Sequence, residues 1–145
     1  MKITVNEKSD LTEMEVIINC HHTNEDVLKI ISSLRSLDHT ITGEKSGQTF
    51  LLPRDSILYI ESVDKKTIIY CEKEIYESTF RLYEFEERLS SDSFFRASKS
   101  TIINLSQVRS LRPDFGGRLS LTMNNGEKMI VSRQYASIVK EKLGL

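Results

Sequence analysis

The sequence predicts a mostly β fold with short helices, preceded by a small ββα module, and three observations carry that reading. Short extended runs follow one another from residue 48 onward, turn-forming residues separate them, and no alternation of strands with long helical periods intervenes. A sandwich or partly open barrel is therefore favoured over a doubly wound parallel sheet. At 145 residues the chain has room for one such domain and a small appendage. A chain of this size buries on the order of two thirds of the surface it exposes when unfolded, so neither disulfides nor a metal is needed for stability.

Met1 to Asn6 and Glu15 to Cys20 are β-branched or alternating and read as two strands. Thr23 to Ser36 follows another period: Val27, Ile30, Ile31 and Leu34 recur at helical spacing, Thr23 or Asn24 can cap the first turn, and Glu25 and Asp26 favour its positive end. Gly43 and Gly47 mark a loop before Phe50, and the boundary is expected there, dividing a module at 1–45 from a domain at 46–145.

Within the domain, the extended runs are Thr49 to Leu52, Ile57 to Ser62, Thr67 to Cys71, Glu74 to Ser78, Phe94 to Ser98, Thr101 to Leu105, Val108 to Leu111, Arg118 to Met123 and Lys128 to Val131. Asn125-Gly126 is a strong hairpin signal because this pair accepts positive φ at little cost, so the strands on either side should pair. Helical spacing interrupts the pattern at Phe80 to Leu89 and at Gln134 to Leu143, where Ser132 can cap and Gly144 can close.

With 39% hydrophobic and 28% charged residues, the composition excludes collagen, coiled coil and wholesale disorder. Lys2, Glu7, Lys8 and Asp10 leave no apolar signal core, and no later apolar run approaches membrane-spanning length, so a cytoplasmic protein is expected. Cys20 and Cys71, without CxxC spacing, are expected to be reduced and mostly buried. Cys20-His21-His22 is a poor metal or catalytic cluster, since neighbouring strand residues point to opposite faces. No Gly-rich phosphate cradle, GxSxG or HExxH occurs. No enzyme, cofactor or metal is therefore expected.

The net charge of −1 hides an uneven distribution. Residues 1–52 hold five Lys/Arg against eight Asp/Glu, and residues 53–95 hold six against ten. Residues 96–133 reverse this, with seven Lys/Arg against only Asp114 and Glu127. A basic stretch on an acidic protein concentrates positive potential where a polyanion can bind, although charge alone also allows a merely solvated face. Within it, Phe94 to Leu105 has apolar ends and a small, hydroxylated, basic middle at Ser98, Lys99 and Ser100. A β scaffold presenting such a turn suits phosphate contact. Asp64-Lys65-Lys66-Thr67 and Val131-Ser132-Arg133-Gln134 have similar composition. The Arg133 guanidinium can bond bidentately to guanine in a major groove; the alternative is a first-turn helix residue paired with a carboxylate.

Three ordered motifs now carry a resemblance. Ile57-Leu58-Tyr59-Ile60-Glu61-Ser62, the run from Phe95-Arg96 to Asn104-Leu105, and Asn125-Gly126 followed by Val131-Ser132-Arg133 with Tyr135 resemble the LytTR DNA-binding domain of bacterial transcription regulators, over residues 46–143. The resemblance implies an elongated β-sandwich of three small packed sheets whose inter-strand loops enter successive major grooves. It implies that Lys99 contacts base edges or backbone, that Arg133 reads a base, and that Lys65, Lys66 and Thr67 form the first contact loop. Ser98 and Thr101 stand where many relatives carry His and an aromatic residue.

Relatives usually follow a receiver domain, which the residues before 46 are too few to supply. The chain is thus similar to stand-alone regulators restrained by a small membrane protein, with residues 1–45 as the candidate for dimerisation or inhibitor contact. The plain alternative is that they cover a sheet edge. The expected function is sequence-specific regulation of transcription on double-stranded DNA with direct repeats, bound as a homodimer or as paired monomers. The alternatives are a single-strand or RNA-binding β domain and a protein-binding sensory module. The first of these needs exposed aromatics, whereas Phe50, Tyr59, Tyr70, Phe94 and Phe95 mostly alternate as core positions do.

Overall fold

The computed structural model describes residues 1–38, 40–89 and 93–145. The chain divides into two compact units, Met1–Leu37 and Asp38–Leu145. In the first, neither Met1 to Asn6 nor Glu15 to Cys20 forms a strand, contrary to the β-branched pattern. Ile3, Val5, Val16 and Ile17 are all exposed. With no partner backbone and no buried face, nothing offsets the entropy of fixing these residues in a ladder. Cys20 is exposed for the same reason, whereas Cys71 is half-buried; both are free thiols. Helix α1 spans Glu25–Asp38. Asn24 caps it, its Oδ1 accepting from the Val27 amide at 3.0 Å, and the stripe Val27, Ile30, Ile31 and Leu34 is half-buried.

In the second unit the segment read as a loop begins with a strand, β1 (Thr40–Lys45), which pairs with β2 (Gln48–Pro53) as an antiparallel hairpin. The structural division therefore falls before β1, earlier than residue 45. Gly43 misleads a reading of local sequence because it serves close packing: a Cβ there would lie 2.6 Å from Tyr76 Cβ and 2.8 Å from Leu52 Cδ1.

The remaining strands are β3 (Ile57–Val63), β4 (Lys66–Cys71), β5 (Ile75–Ser78), β6 (Phe94–Ser98), β7 (Thr101–Asn104), β8 (Val108–Pro113), β9 (Leu119–Met123) and β10 (Lys128–Val131). Helix α2 spans Leu82–Arg88 and α3 spans Arg133–Lys142. Two ladders result, a seven-stranded sheet in the order β2-β1-β5-β4-β3-β7-β6 and a three-stranded sheet β10-β9-β8. The β1–β2 hairpin joins β5 through the register pair Glu44↔Glu77. Asn125-Gly126 turns β9 into β10 as expected, with Gly126 at φ 90°.

Strands β3, β7 and β6 of the larger sheet are buried on both faces, which explains their apolar doublets. Phe94 and Ile102 pack with Ile57, Ile60 and Ile69 against α2 residues Leu82 and Phe85. Their neighbours Phe95 and Ile103 point the other way, into a core shared with Leu119, Leu121, Val131 and the α3 residue Val139. Tyr59 and Tyr70 stack at 4.4 Å in this second core. Burial pushes the Tyr59 hydroxyl above the ordinary tyrosine range, helped by its hydrogen bond to Glu127 on the β9–β10 turn.

Asn104 closes one end of β7. It is 0% exposed, and its Nδ2 donates to the Ile57 carbonyl at 2.8 Å. Its Oδ1 accepts from the Ser93 hydroxyl, the Ser106 hydroxyl and the Ser106 amide. Losing it leaves a buried carbonyl and an amide without partners. Asn104→Ala is expected to lower stability by about 2–3 kcal/mol, seen as a reduced urea midpoint with an unchanged m value.

Candidate nucleic-acid interface

Antiparallel pairing decides which turns share an end of a sheet. β3 and β4 meet at Val63↔Lys66, so Asp64 and Lys65 form the tip between them. β7 runs antiparallel to β3 with Glu61↔Thr101, and the Ser62 amide donates to the Ser100 carbonyl at 2.8 Å. The Ser98–Thr101 turn therefore lies beside the Asp64-Lys65 turn. The three-stranded sheet reaches the same end: the Ser132 amide, just after β10, donates to the Ala97 carbonyl of β6 at 2.8 Å. Arg133 follows directly as the first residue of α3. Lys65, Lys66, Ser98, Lys99, Ser100 and Arg133, separated widely in sequence, are thus gathered on one side of the domain.

Their individual states differ. Lys65, Lys66, Lys99, Ser100 and Arg133 are exposed. Thr67, expected as a contact residue, is only 4% exposed. The period of the strand turns Lys66 outward and Thr67 inward, so the hydroxyl does not belong to the surface. Ser98 is half-buried, and its hydroxyl accepts from the Ser100 amide at 3.2 Å, which makes it a brace of the turn. Lys66 reaches Glu77 at 3.7 Å, an exposed pair of little energetic weight.

Two arginines missed by sequence reasoning hold these turns. Arg96 is the first; its Nε donates to the Ser98 carbonyl at 2.8 Å, its Nη2 to the Lys99 carbonyl, and its Nη1 to Glu86 at 3.0 Å. Counted with the basic stretch, it is in fact a strut whose charge Glu86 compensates. Arg81 is the second, its Nη1 donating to the Lys65 carbonyl at 3.2 Å. Neither role has a signal in local sequence, because each depends on strands brought together from a distance.

Local preferences oppose two of the exposed cations. Asp64 and Lys65 have φ of 50° and 67°, the pair of positive values of a type I′ turn, where glycine is favoured at the second position. Arg133 stands at the positive end of the α3 dipole, where a cation is disfavoured by about 0.3–1 kcal/mol. Among the described residues Arg133 has no carboxylate partner, so the ion-pair reading of this residue finds no support. Its aliphatic stem lies over Gly117, where a Cβ would sit 3.3 Å from Arg133 Cγ.

Cys20, His21 and His22 form no metal-holding group, and none occurs among the described residues. No described helix is long and apolar enough to cross a membrane.

The family model of the LytTr DNA-binding domain matches residues 47–144. The chain belongs to that family. A solved LytTr DNA-binding domain from Bacillus cereus is 33% identical and superposes with a TM-score of 0.70, covering 74% of this chain and 98% of that one. The sensory transduction protein LytT of Enterococcus faecalis is 33% identical over 89 residues, 61% of this chain and 37% of that protein. The chain thus spans little more than a third of that relative. An uncharacterized HTH-type transcriptional regulator of Staphylococcus aureus is 24% identical over 147 residues, covering 100% of this chain and 99% of its own. In this LytTr domain α2 and α3 are separated by β6 through β10, so they do not make a helix-turn-helix.

Relieving the left-handed strain at Lys65 should stabilise the LytTr domain. Lys65→Gly is expected to raise unfolding free energy by about 1 kcal/mol, while Lys65→Ala, which keeps a Cβ, should not. Urea unfolding of the two variants beside the parent chain checks this.

Proposed function

We propose that this chain is a sequence-specific transcription regulator that binds double-stranded DNA through the turns at this end of its sheets, the turns entering successive major grooves. Arg133 carries the reading. An exposed cation kept at the positive end of a helix, without a carboxylate, has its electrostatic cost offset by an external anion or base edge. Lys99 and Ser100 supply charge and hydroxyl beside it, and Lys65 and Lys66 supply the outer turn. A single-strand reading is weakened because Tyr59, Phe94 and Phe95 are buried in the cores rather than offered as stacking platforms.

The target on this reading is a pair of direct repeats occupied by two copies. The exposed apolar side chains of the Met1–Leu37 unit suit a protein contact, between copies or with a small membrane protein that restrains the regulator. Ile17→Asp is then expected to shift the chain from dimer to monomer in analytical ultracentrifugation; a monomeric parent chain would remove the dimer from this reading.

Selection of bound duplexes from a random pool, at two salt concentrations, tests the DNA reading directly. On the selected duplex, Arg133→Ala should cost about 1–3 kcal/mol and erase preference at one base pair. Lys66→Ala should instead weaken selected and random duplexes alike and reduce the salt slope by about 1. Equal loss on both duplexes for Arg133→Ala would remove its base-reading role.

A further inference from the structure

The connection between β8 and β9 belongs to the same end of the domain. Pro113 and Val131 both pair with Leu119, so the end of β8, the start of β9 and the end of β10 lie side by side. The Asp114 amide donates to the Arg118 carbonyl at 2.8 Å, closing a turn in which Gly116 and Gly117 have φ of 74° and 79°. The stem of Arg133 rests on Gly117.

At the tip of this turn Phe115 is 86% exposed. A lone exposed aromatic is ordinary, but the surroundings of this one are not. Arg112 and Arg118 flank it in the chain and are exposed. Among the described residues neither arginine has a carboxylate partner. Arg118 Nε donates to the Phe115 carbonyl at 3.0 Å, which holds the arginine against the base of the tip. Asp114 is the only acidic residue between 96 and 126, and it is half-buried. An exposed apolar ring flanked in the chain by two arginines without carboxylate partners complements a duplex groove, which has apolar sugar and base-edge surface between two anionic backbones.

We infer that the Asp114–Arg118 turn is a further DNA-contacting element, in which Phe115 makes an apolar contact inside a groove next to Arg133 while Arg112 and Arg118 hold the flanking phosphates. This rests on the duplex-binding reading above and extends it to residues outside the three basic turns. The two kinds of contact carry different signatures: arginine–phosphate contacts release counterions and weaken with salt, whereas apolar burial does not.

The experiment measures binding of the full chain to its selected duplex and to random duplex across a salt series, for the parent, Phe115→Ala, Phe115→Leu and Arg118→Ala. Phe115→Ala is expected to lose about tenfold in affinity for the selected duplex with an unchanged salt slope, and to lose preference at one position of the site. Phe115→Leu should recover part of that loss. Arg118→Ala should reduce the slope by about 1 on both duplexes. Parent-like affinity and site preference for Phe115→Ala would overturn the inference, leaving the duplex reading intact. A large fall in melting temperature for Phe115→Ala would also overturn it, since a ring free for DNA contributes little to folding. Failure of the parent chain to retain any duplex would overturn the reading on which the inference rests.

Discussion

Two main-chain hydrogen bonds gather the basic turns into one surface: Ser62 to Ser100 joins two turns of the larger sheet, and Ser132 to Ala97 ties the end of the smaller sheet to them. Long cationic side chains have little shape of their own, so a basic surface is only as well defined as the backbone beneath it. Here the backbone is stiffened because β3, β6 and β7 are buried on both faces, each apolar doublet sending one side chain to either core. Shifting any of these strands by one residue would exchange the two cores and move the turns apart.

On that frame the domain tolerates local disadvantage where cations meet solvent. Lys65 occupies a backbone region that suits glycine, and Arg133 faces the like-signed end of a helix dipole. Where a cation is instead structural, the opposite pattern holds: Arg96 is matched to Glu86 and to two carbonyls of the turn it supports. Arg96 with its carboxylate and Arg133 without one thus serve differently, a distinction that the sequence count of basic residues does not make.

Much of this was legible beforehand, for reasons that can be stated residue by residue. From β2 onward the strands of the domain announce themselves through short extended apolar runs, and Asn125-Gly126 through its tolerance of positive φ. Lys65, Lys66, Lys99 and Arg133 were visible as turn cations, although their meeting depends on register, which local pattern does not specify. Misreadings have physical causes. Gly43 resembles a loop glycine but serves the approach of Tyr76 and Leu52. Glu15 to Cys20 has strand-like composition without a partner to pair with. Thr67 adjoins the turn in sequence but lies on the inward side of its strand, and the exposure of Phe115 leaves no mark in the sequence because an isolated aromatic has no periodicity.

The two ends of β7 have unlike duties. At one, Asn104 is enclosed and every polar atom of its amide is committed to neighbouring chain segments. At the other, Lys99 and Ser100 are exposed, and the turn is held through their carbonyls, by Arg96 and the Ser62 amide. Mutation at the outward end is therefore screened by whatever it touches, while mutation at the enclosed end is screened by folding itself. A lineage built on this scaffold can vary the side chains of the outward turn and still inherit the same architecture.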